Sequence, residues 1–218
     1  MADWLAWQMV DSAFPVGVFA HSWGLEAAWQ SGHVADTAAL RRFLRAAIQQ
    51  TNYGALPLLG AVYREPSRWS TLDELADAFL TNSVANRASR VQGRTLVATV
   101  ARVWPSEAMV DVGVRTQNGR VHVAPTAGWV FQVVGVPLET ARAMLLYGTA
   151  RGVLSAAVRL GIVGSYDAQR IQQEIAPMLD RALTQSRGLS AADICQTAPV
   201  FDLVQAGHDR LYSRLFQS

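Results

Sequence analysis

Apolar residues recur along this chain with the spacing of helices nearly throughout. In the segment TAALRRFLRAAIQQTNYGALPLLGAVYR, one apolar stripe is formed by Leu40, Phe43, Leu44, Ala47 and Ile48. Similar patterns occur in LDELADAFL, VANRASRVQGRTLVATVARVW, AGWVFQVVGV and PLETARAMLLYGTARGVLSAAVRLG. The pattern predicts an all-α protein, a single globular helical domain of roughly eight to ten helices over residues 1–218.

Polar residues and prolines predict where several of these helices begin and end. Asp36 is expected to cap the long helix, and Thr71 with Glu74 has the spacing of a capping box before LDELADAFL. Pro137 suits the first turn of the helix that follows it. Pro177 is expected to kink or split the helix in YDAQRIQQEIAPMLDRALTQS.

Residues 105–126 are the least regular stretch of the chain. Asn118-Gly119 is a turn signal, and VRTQNGRVHV leaves a β-hairpin open as an alternative. The helical interpretation is favoured because no other strand pair is evident to extend such a hairpin.

Composition is typical of a well-packed globular chain, since 50% of the residues are hydrophobic and 17% are charged. The single cysteine, Cys195, excludes an intramolecular disulfide and fits a reducing compartment, so a cytoplasmic location is expected. The start MADWLAWQMVDSAF does not have the pattern of a signal peptide, and no apolar run predicts a membrane span.

All nineteen basic residues are arginines, and the net charge is +2. Without lysine the chain has no P-loop, no Schiff-base lysine and no lysine general base. If nucleotide hydrolysis is part of the function, another chain must perform it. Arg87, Arg90 and Arg94 form one stripe on a helix, which fits a solvated face or a protein interface. DNA binding is not expected because the charge is nearly balanced.

The residues that carry chemistry are sparse. The four histidines, His21, His33, His122 and His208, are widely spaced, and no HExxH or CxxC motif occurs. Cys195 lacks local features that would lower its pKa, and no GxSxG elbow is present. We therefore expect no catalytic residue, no stable metal ligand set and no stably bound cofactor, although a metal site assembled in space stays open.

The stretch FPVGVFAHSWGLEAAWQSG has the features of a shaped turn that leads into a helix. Pro15 is expected to end the first helix, and Gly17 permits backbone angles that other residues avoid. Ser22 is placed to cap the next helix, which is expected to begin near it, and Glu26 lies in its first turns. His21 is expected to bond to the turn or to a neighbouring acid.

Four segments carry a family resemblance. DSAFPVGVFAHSWGLEAAWQSG resembles the signature S-D-S-x-F-P-x-G-x-F-x-H-S-x-G-L-E of the urease accessory protein UreF family. NRASRVQGRTL is similar to its R-x-x-S-x-x-Q-G-x-x-L segment, and SAAVRLGIVGSYDAQRI to its helix-turn-helix stretch. HDRLYSRLFQS matches its C-terminal signature H-x-x-L-Y-S-R-L-F-x-S. The four segments occur in the family's order over residues 11–218.

The chain also departs from the family pattern. Val16 and Val18 replace the more usual Thr and Ser, so hydroxyl hydrogen bonds in the turn are lost. VHVAPTAGWVFQVVGV is only loosely similar to the family's histidine-containing helix start.

The resemblance implies an all-α protein that is not an enzyme. Members of this family help to assemble the nickel centre of urease, form homodimers, and bind the accessory protein UreD (also called UreH), which docks on apo-urease. They recruit the nickel-carrying GTPase UreG and modulate its nucleotide-dependent delivery. Nickel is thus expected to be handled by the complex; the alternative is a metallochaperone that binds nickel itself. Neither nucleic acid nor membrane is an expected partner.

The resembling segments and the helix between them supply the candidate partner-binding residues. These are Phe14, Pro15, His21, Ser22, Glu26, Arg90, Gln92, Gly93, Arg94, Tyr147, Arg151, Arg159, His208, Leu211, Tyr212, Arg214 and Phe216. Tyr147, Arg151 and Arg159 are placed on one helix face, as part of a dimer or UreG platform. Gly93 either lets a partner backbone approach or relieves crowding between packed helices.

Residues 207–218 are interpreted as a docking tail. Helical spacing gives Leu211, Tyr212, Leu215 and Phe216 an apolar face, while His208 and Arg214 add directional hydrogen bonds. So short a segment is not stable alone and is expected to dock either on a UreD-type partner, as the resemblance implies, or on its own body.

Overall fold

The computed structural model describes residues 4–16 and 20–218, and within these ranges every regular element is a helix. The α-helices are α1 Trp4–Val10, α2 Leu25–Gln30, α3 Thr37–Gln50, α4 Leu56–Arg64, α5 Trp69–Phe79, α6 Ser83–Val103, α7 Glu107–Thr116, α8 Val123–Val133, α9 Leu138–Arg159, α10 Ser165–Glu174, α11 Ala176–Ser186 and α12 Pro199–Ala206. A π-helical turn, Thr51–Ala55, joins α3 and α4 into one rod. Counting that rod once gives eleven helices in the described ranges, ten of them with seven or more residues, and the all-α prediction is confirmed.

Two apolar clusters form the core. The first lies among α4 to α8 and includes Leu59, Trp69, Val100, Val112 and Val130. The second lies among α2, α3, α9, α10 and α11 and includes Leu25, Leu40, Leu146, Ile171 and Phe216. The α3–α4 rod and α9 contribute to both clusters and so connect them. Among the described residues, no helix combines the length and the apolar character needed to cross a bilayer.

Several predicted helix boundaries are confirmed. Asp36 accepts a hydrogen bond from the backbone N–H of Ala39 at 2.7 Å and so caps α3. Pro137 immediately precedes α9, and Glu139 lies in its first turn. The chain divides between α10 and α11, with Pro177 at the start of α11, where a missing N–H costs least.

Other boundary predictions are wrong. α5 begins at Trp69, ahead of Thr71, and no side chain caps it. α1 already ends at Val10, well before Pro15. α7 continues to Thr116 and a turn follows, so the hairpin alternative is also wrong. The predictions for Gly17 and Val18 lie outside the described residues.

The start of α2 differs from the prediction for a backbone reason. The helix begins at Leu25 rather than near Ser22. Trp23 and Gly24 both have positive φ, 60° and 81°, and this left-handed geometry does not continue into a right-handed helix. Ser22 Oγ does accept the N–H of Glu26, at 3.3 Å, but its stronger bond goes to the end of the chain.

Candidate interaction site

The segment 207–218 docks beside α2 and joins the two ends of the sequence. Gln217 N–H donates to the carbonyl of Ala20 at 2.7 Å, and Ser22 Oγ donates to the carbonyl of Ser218 at 2.8 Å. His21 Nδ1 shares a hydrogen bond with Ser218 Oγ at 2.7 Å. The first and last of the four resembling segments therefore form one structural unit.

Glu26 is the central acceptor of this unit. Its side chain is 1% exposed, and a carboxylate buried that deeply is costly unless donors surround it. Its Oε1 accepts the N–H of Leu215 at 2.7 Å, and its Oε2 accepts the N–H of Phe216 at 3.2 Å. Nε2 of the fully buried His208 donates to Oε2 at 3.0 Å. The position of Glu26 in the first turn of α2 was predicted, whereas its main partners lie almost at the other end of the chain.

Charged contacts at the surface surround the docked segment. Arg87 from α6 and Arg214 from the segment both donate to Asp209, at 2.9 and 3.2 Å. The Arg159 guanidinium lies 4.2 Å from the centre of the Phe216 ring. Exposed ion pairs of this kind stabilise a fold only slightly, so the buried Glu26 cluster holds the segment more firmly than they do.

The segment presents one set of side chains outward and another inward. Tyr212 is fully exposed and Leu215 is 60% exposed, while Leu211 is half-buried and Phe216 is buried. The chain is not helical after Arg210, so the predicted helical face of four apolar residues is wrong. Of the two docking alternatives, the structure has the segment on its own body.

Burial keeps His21 uncharged near neutral pH. Its pKa is lowered from 6.5 to about 4, first by desolvation and then by the positive potential of Arg87 and of His208. A neutral ring is suited to the hydrogen bond with Ser218.

The motif NRASRVQGRTL lies in α6 and has both buried and exposed residues. Gln92 and Gly93 point into the protein, Arg90 is half-buried, and Arg94 is exposed. A Cβ on Gly93 would lie 1.9 Å from the carbonyl oxygen of Val121. Gly93 therefore relieves internal crowding, and Gln92 and Gly93 do not form a partner-facing surface in this conformation.

The remaining candidates are dispersed. Phe14 is buried with its ring 5.7 Å from that of Trp104, and the Pro15 carbonyl accepts a bond from Thr99 at 2.9 Å. Tyr147 is exposed, whereas Arg151 donates to the carbonyl of Val10 at the end of α1. Arg151 therefore contacts α1 and Arg159 contacts the docked segment, and a platform on this face of α9 stays a prediction.

Sequence reasoning missed a second polar cluster. Asp73 accepts the backbone N–H groups of Val121 and His122, at 2.9 and 2.7 Å. The ring of the buried His122 bridges Ser89 and Asp77, each at 3.1 Å. These contacts hold the turn before α8 against α5 and α6. They join residues more than thirty positions apart, so local spacing carried no signal for them.

The described residues contain no group of three or more His, Cys, Asp or Glu side chains arranged to hold a metal ion. The site is thus an internal hydrogen-bonded junction with exposed side chains around it.

Comparison with known proteins shows the family of this chain. The family model described as UreF matches residues 34–176. Urease accessory protein F of Arabidopsis thaliana is 38% identical, over 99% of this chain and 92% of its own length, and that of Oryza sativa subsp. indica is 34% identical, over 98% and 84%. The urease accessory protein UreF of Rhodopseudomonas palustris (strain BisB5) is 29% identical, over 94% and 87%. The chain belongs to the UreF family of urease accessory proteins, which supports a role in urease maturation.

Proposed function

We propose that this protein acts in urease maturation as a non-catalytic scaffold. In this role it bridges a UreD/UreH-type protein on apo-urease to the nickel-carrying GTPase of the UreG type, and it modulates GTPase-dependent nickel delivery. It works in the cytoplasm as a homodimer. Nickel passes through the assembly without a stable site on this chain.

The observation that carries the proposal is the junction between the two terminal motifs. Glu26 accepts hydrogen bonds from His208, Leu215 and Phe216 inside the junction. Tyr212, Arg214 and Leu215 keep their side chains exposed. Aromatic residues and arginine are enriched at the energetic centres of protein interfaces. Because these internal hydrogen bonds fix the segment before a partner arrives, the exposed surface is pre-ordered. Pre-ordering lowers the entropy cost of binding.

Family membership and composition support the same function. The relatives are named urease accessory proteins, and the chain has no lysine and therefore no P-loop. A GTPase step in the assembly must therefore occur on a partner, as the bridging role requires.

Co-purification tests the proposal. The tagged chain is co-expressed with the UreD-type and UreG-type proteins of the same organism, as wild type and as the double variant Tyr212→Ser, Leu215→Ser. The matched control is Tyr166→Ser on α10, because Tyr166 is 87% exposed but far along the chain from the junction.

We expect wild type and Tyr166→Ser to retain the UreD-type protein and the double variant to lose most of it, with unchanged circular dichroism. Retention of neither partner by the wild-type chain would refute the scaffold function. Equal retention by all three chains would refute the assignment of the exposed tail residues to the interface.

A further inference from the structure

A pocket of about 180 Å³ lies where α5, α6, α8 and α9 meet the α3–α4 rod. Small side chains keep it open, among them Ala85 and Ala88 of α6 and Ala124 of α8. For comparison, an apolar cavity of about 150 Å³ is large enough to bind benzene. The pocket can therefore hold a molecule the size of a single ring.

One wall of the pocket is the π-helical turn, which contributes Gly54 and Ala55. A π turn widens a helix by one residue, and such turns occur often at functional sites. Another wall comes from Gln205 of α12 and from Ser218 of the docked C-terminal segment. The pocket is thus closed on one side by the junction that unites the terminal motifs.

The walls favour an uncharged ligand. Histidines aside, Asp202 is the only acidic or basic residue among the described residues that line the pocket. Its carboxylate accepts a hydrogen bond from Asn82. His21 and His122 also border the pocket, and burial lowers the pKa of both, so neither supplies a positive charge near neutral pH. Most of the remaining surface is apolar, as in typical small-molecule sites.

Two polar groups in the wall make no hydrogen bond to a described residue: the buried Nε1 of Trp23 and the side-chain amide of Gln92. Gln92 is 8% exposed, and its side-chain amide makes no hydrogen bond to any described residue. The amide keeps contact with solvent on the pocket side, so a hydroxyl or amide group bound in the pocket can form a hydrogen bond with it. Gln92 belongs to the α6 motif, and packing of the fold does not explain why an amide stands there.

We propose that this pocket binds a neutral small molecule of single-ring size that carries a hydroxyl or amide group, with Gln92 as its polar contact. This inference is independent of the scaffold function. Because Ser218 lines the pocket, a bound ligand also stabilises the docked position of the C-terminal segment.

Benzyl alcohol and toluene are suitable probes, since they share a ring and differ in the hydroxyl. Binding to the full chain is measured by saturation-transfer NMR and by titration of the intrinsic tryptophan fluorescence. Ala88→Leu fills the pocket. Ala98→Leu makes the same change on an exposed face of α6 and is the matched control. Gln92→Met removes the amide at nearly constant volume.

We expect wild type and Ala98→Leu to bind both probes and Ala88→Leu to bind neither. Gln92→Met should weaken the binding of benzyl alcohol by about five- to tenfold, which is the effect of losing one hydrogen bond. The binding of toluene should not change. Absence of binding to the wild type would overturn the proposal, as would equal binding by Ala88→Leu. If Ala88→Leu does not fold, Gln92→Met tests the proposal instead. Equal weakening of benzyl alcohol and toluene binding, or no weakening of either, would refute the role of the amide.

Discussion

Glu26 and His208 are separated by 182 positions in the sequence, yet His208 Nε2 lies 3.0 Å from Glu26 Oε2, and both side chains are almost completely buried. The same carboxylate accepts the backbone N–H groups of Leu215 and Phe216. One acidic residue in the first turn of α2 therefore contacts the segment 207–218 at three positions.

Removing this acceptor should release the C-terminal segment. Glu26→Ala leaves three donors without their acceptor, two of them buried, and we expect a loss of about 3 kcal/mol in the free energy of unfolding. Hydrogen exchange at the Leu215 and Phe216 amides should become much faster. Urea denaturation and mass-spectrometric exchange measure the two effects.

Glu74→Ala is the control for this prediction, because Glu74 is an exposed acid on α5. It should change stability by less than about 0.5 kcal/mol. Slow exchange at Leu215 in the Glu26→Ala protein would mean that the other contacts hold the segment without the carboxylate.

Stability should fall in mild acid through His21. The unfolded chain protonates this histidine below about pH 6.5, whereas the folded chain does so only below about 4. Between these values the unfolded state binds more protons, so the free energy of unfolding decreases as pH falls, by at most about 1.4 kcal/mol per unit.

Denaturation of the wild type, His21→Asn and His33→Asn from pH 7.5 to 4.5 isolates this contribution. His21→Asn should show a shallower decline than the wild type, while His33→Asn, an exposed histidine, should follow the wild type. Parallel curves for all three proteins would show that His21 titrates normally in the folded chain.

Two glycine substitutions in helix interiors should act in opposite directions. Gly93→Ala places a methyl group against the Val121 carbonyl, and we expect a loss of about 1–3 kcal/mol or more. Gly113→Ala on α7 meets no atom within 4 Å and should gain about 0.5–1 kcal/mol from helix propensity. Thermal denaturation measures the stability of both variants. A Gly93→Ala protein more stable than the wild type would show that the turn at Val121 shifts at little energetic cost.

The exposed Arg214 should matter more for partners than for the fold. Its ion pair with Asp209 is solvent-exposed, so Arg214→Ala should lower the melting temperature only slightly. If the scaffold proposal is correct, the same change should weaken binding to the UreD-type protein at least tenfold, because arginine anchors often dominate interfaces.

Arg41→Ala provides the comparison, since Arg41 forms a similarly exposed pair with Glu174 on α10. Affinity by biolayer interferometry and melting temperature by calorimetry are measured on all three proteins. Proportional losses of affinity and stability in Arg214→Ala would mean that this arginine only supports the docked segment.

The sequence by itself determined the helical class, because an apolar residue every three or four positions leaves little else for the chain to form. It also determined local features that depend on neighbouring residues, such as the Asp36 cap and the division at Pro177. The four motifs were visible in the sequence as well, and they led to the family.

Tertiary structure decided which motif residues meet and which way they face. Gln92 and Gly93 point inward and Arg94 outward because loop 117–122 packs on one side of α6. Glu26 receives the end of the chain, Asp73 holds the turn at His122, and Arg159 lies over Phe216. These contacts depend on how distant helices pack, and no pattern within a single segment encodes that arrangement.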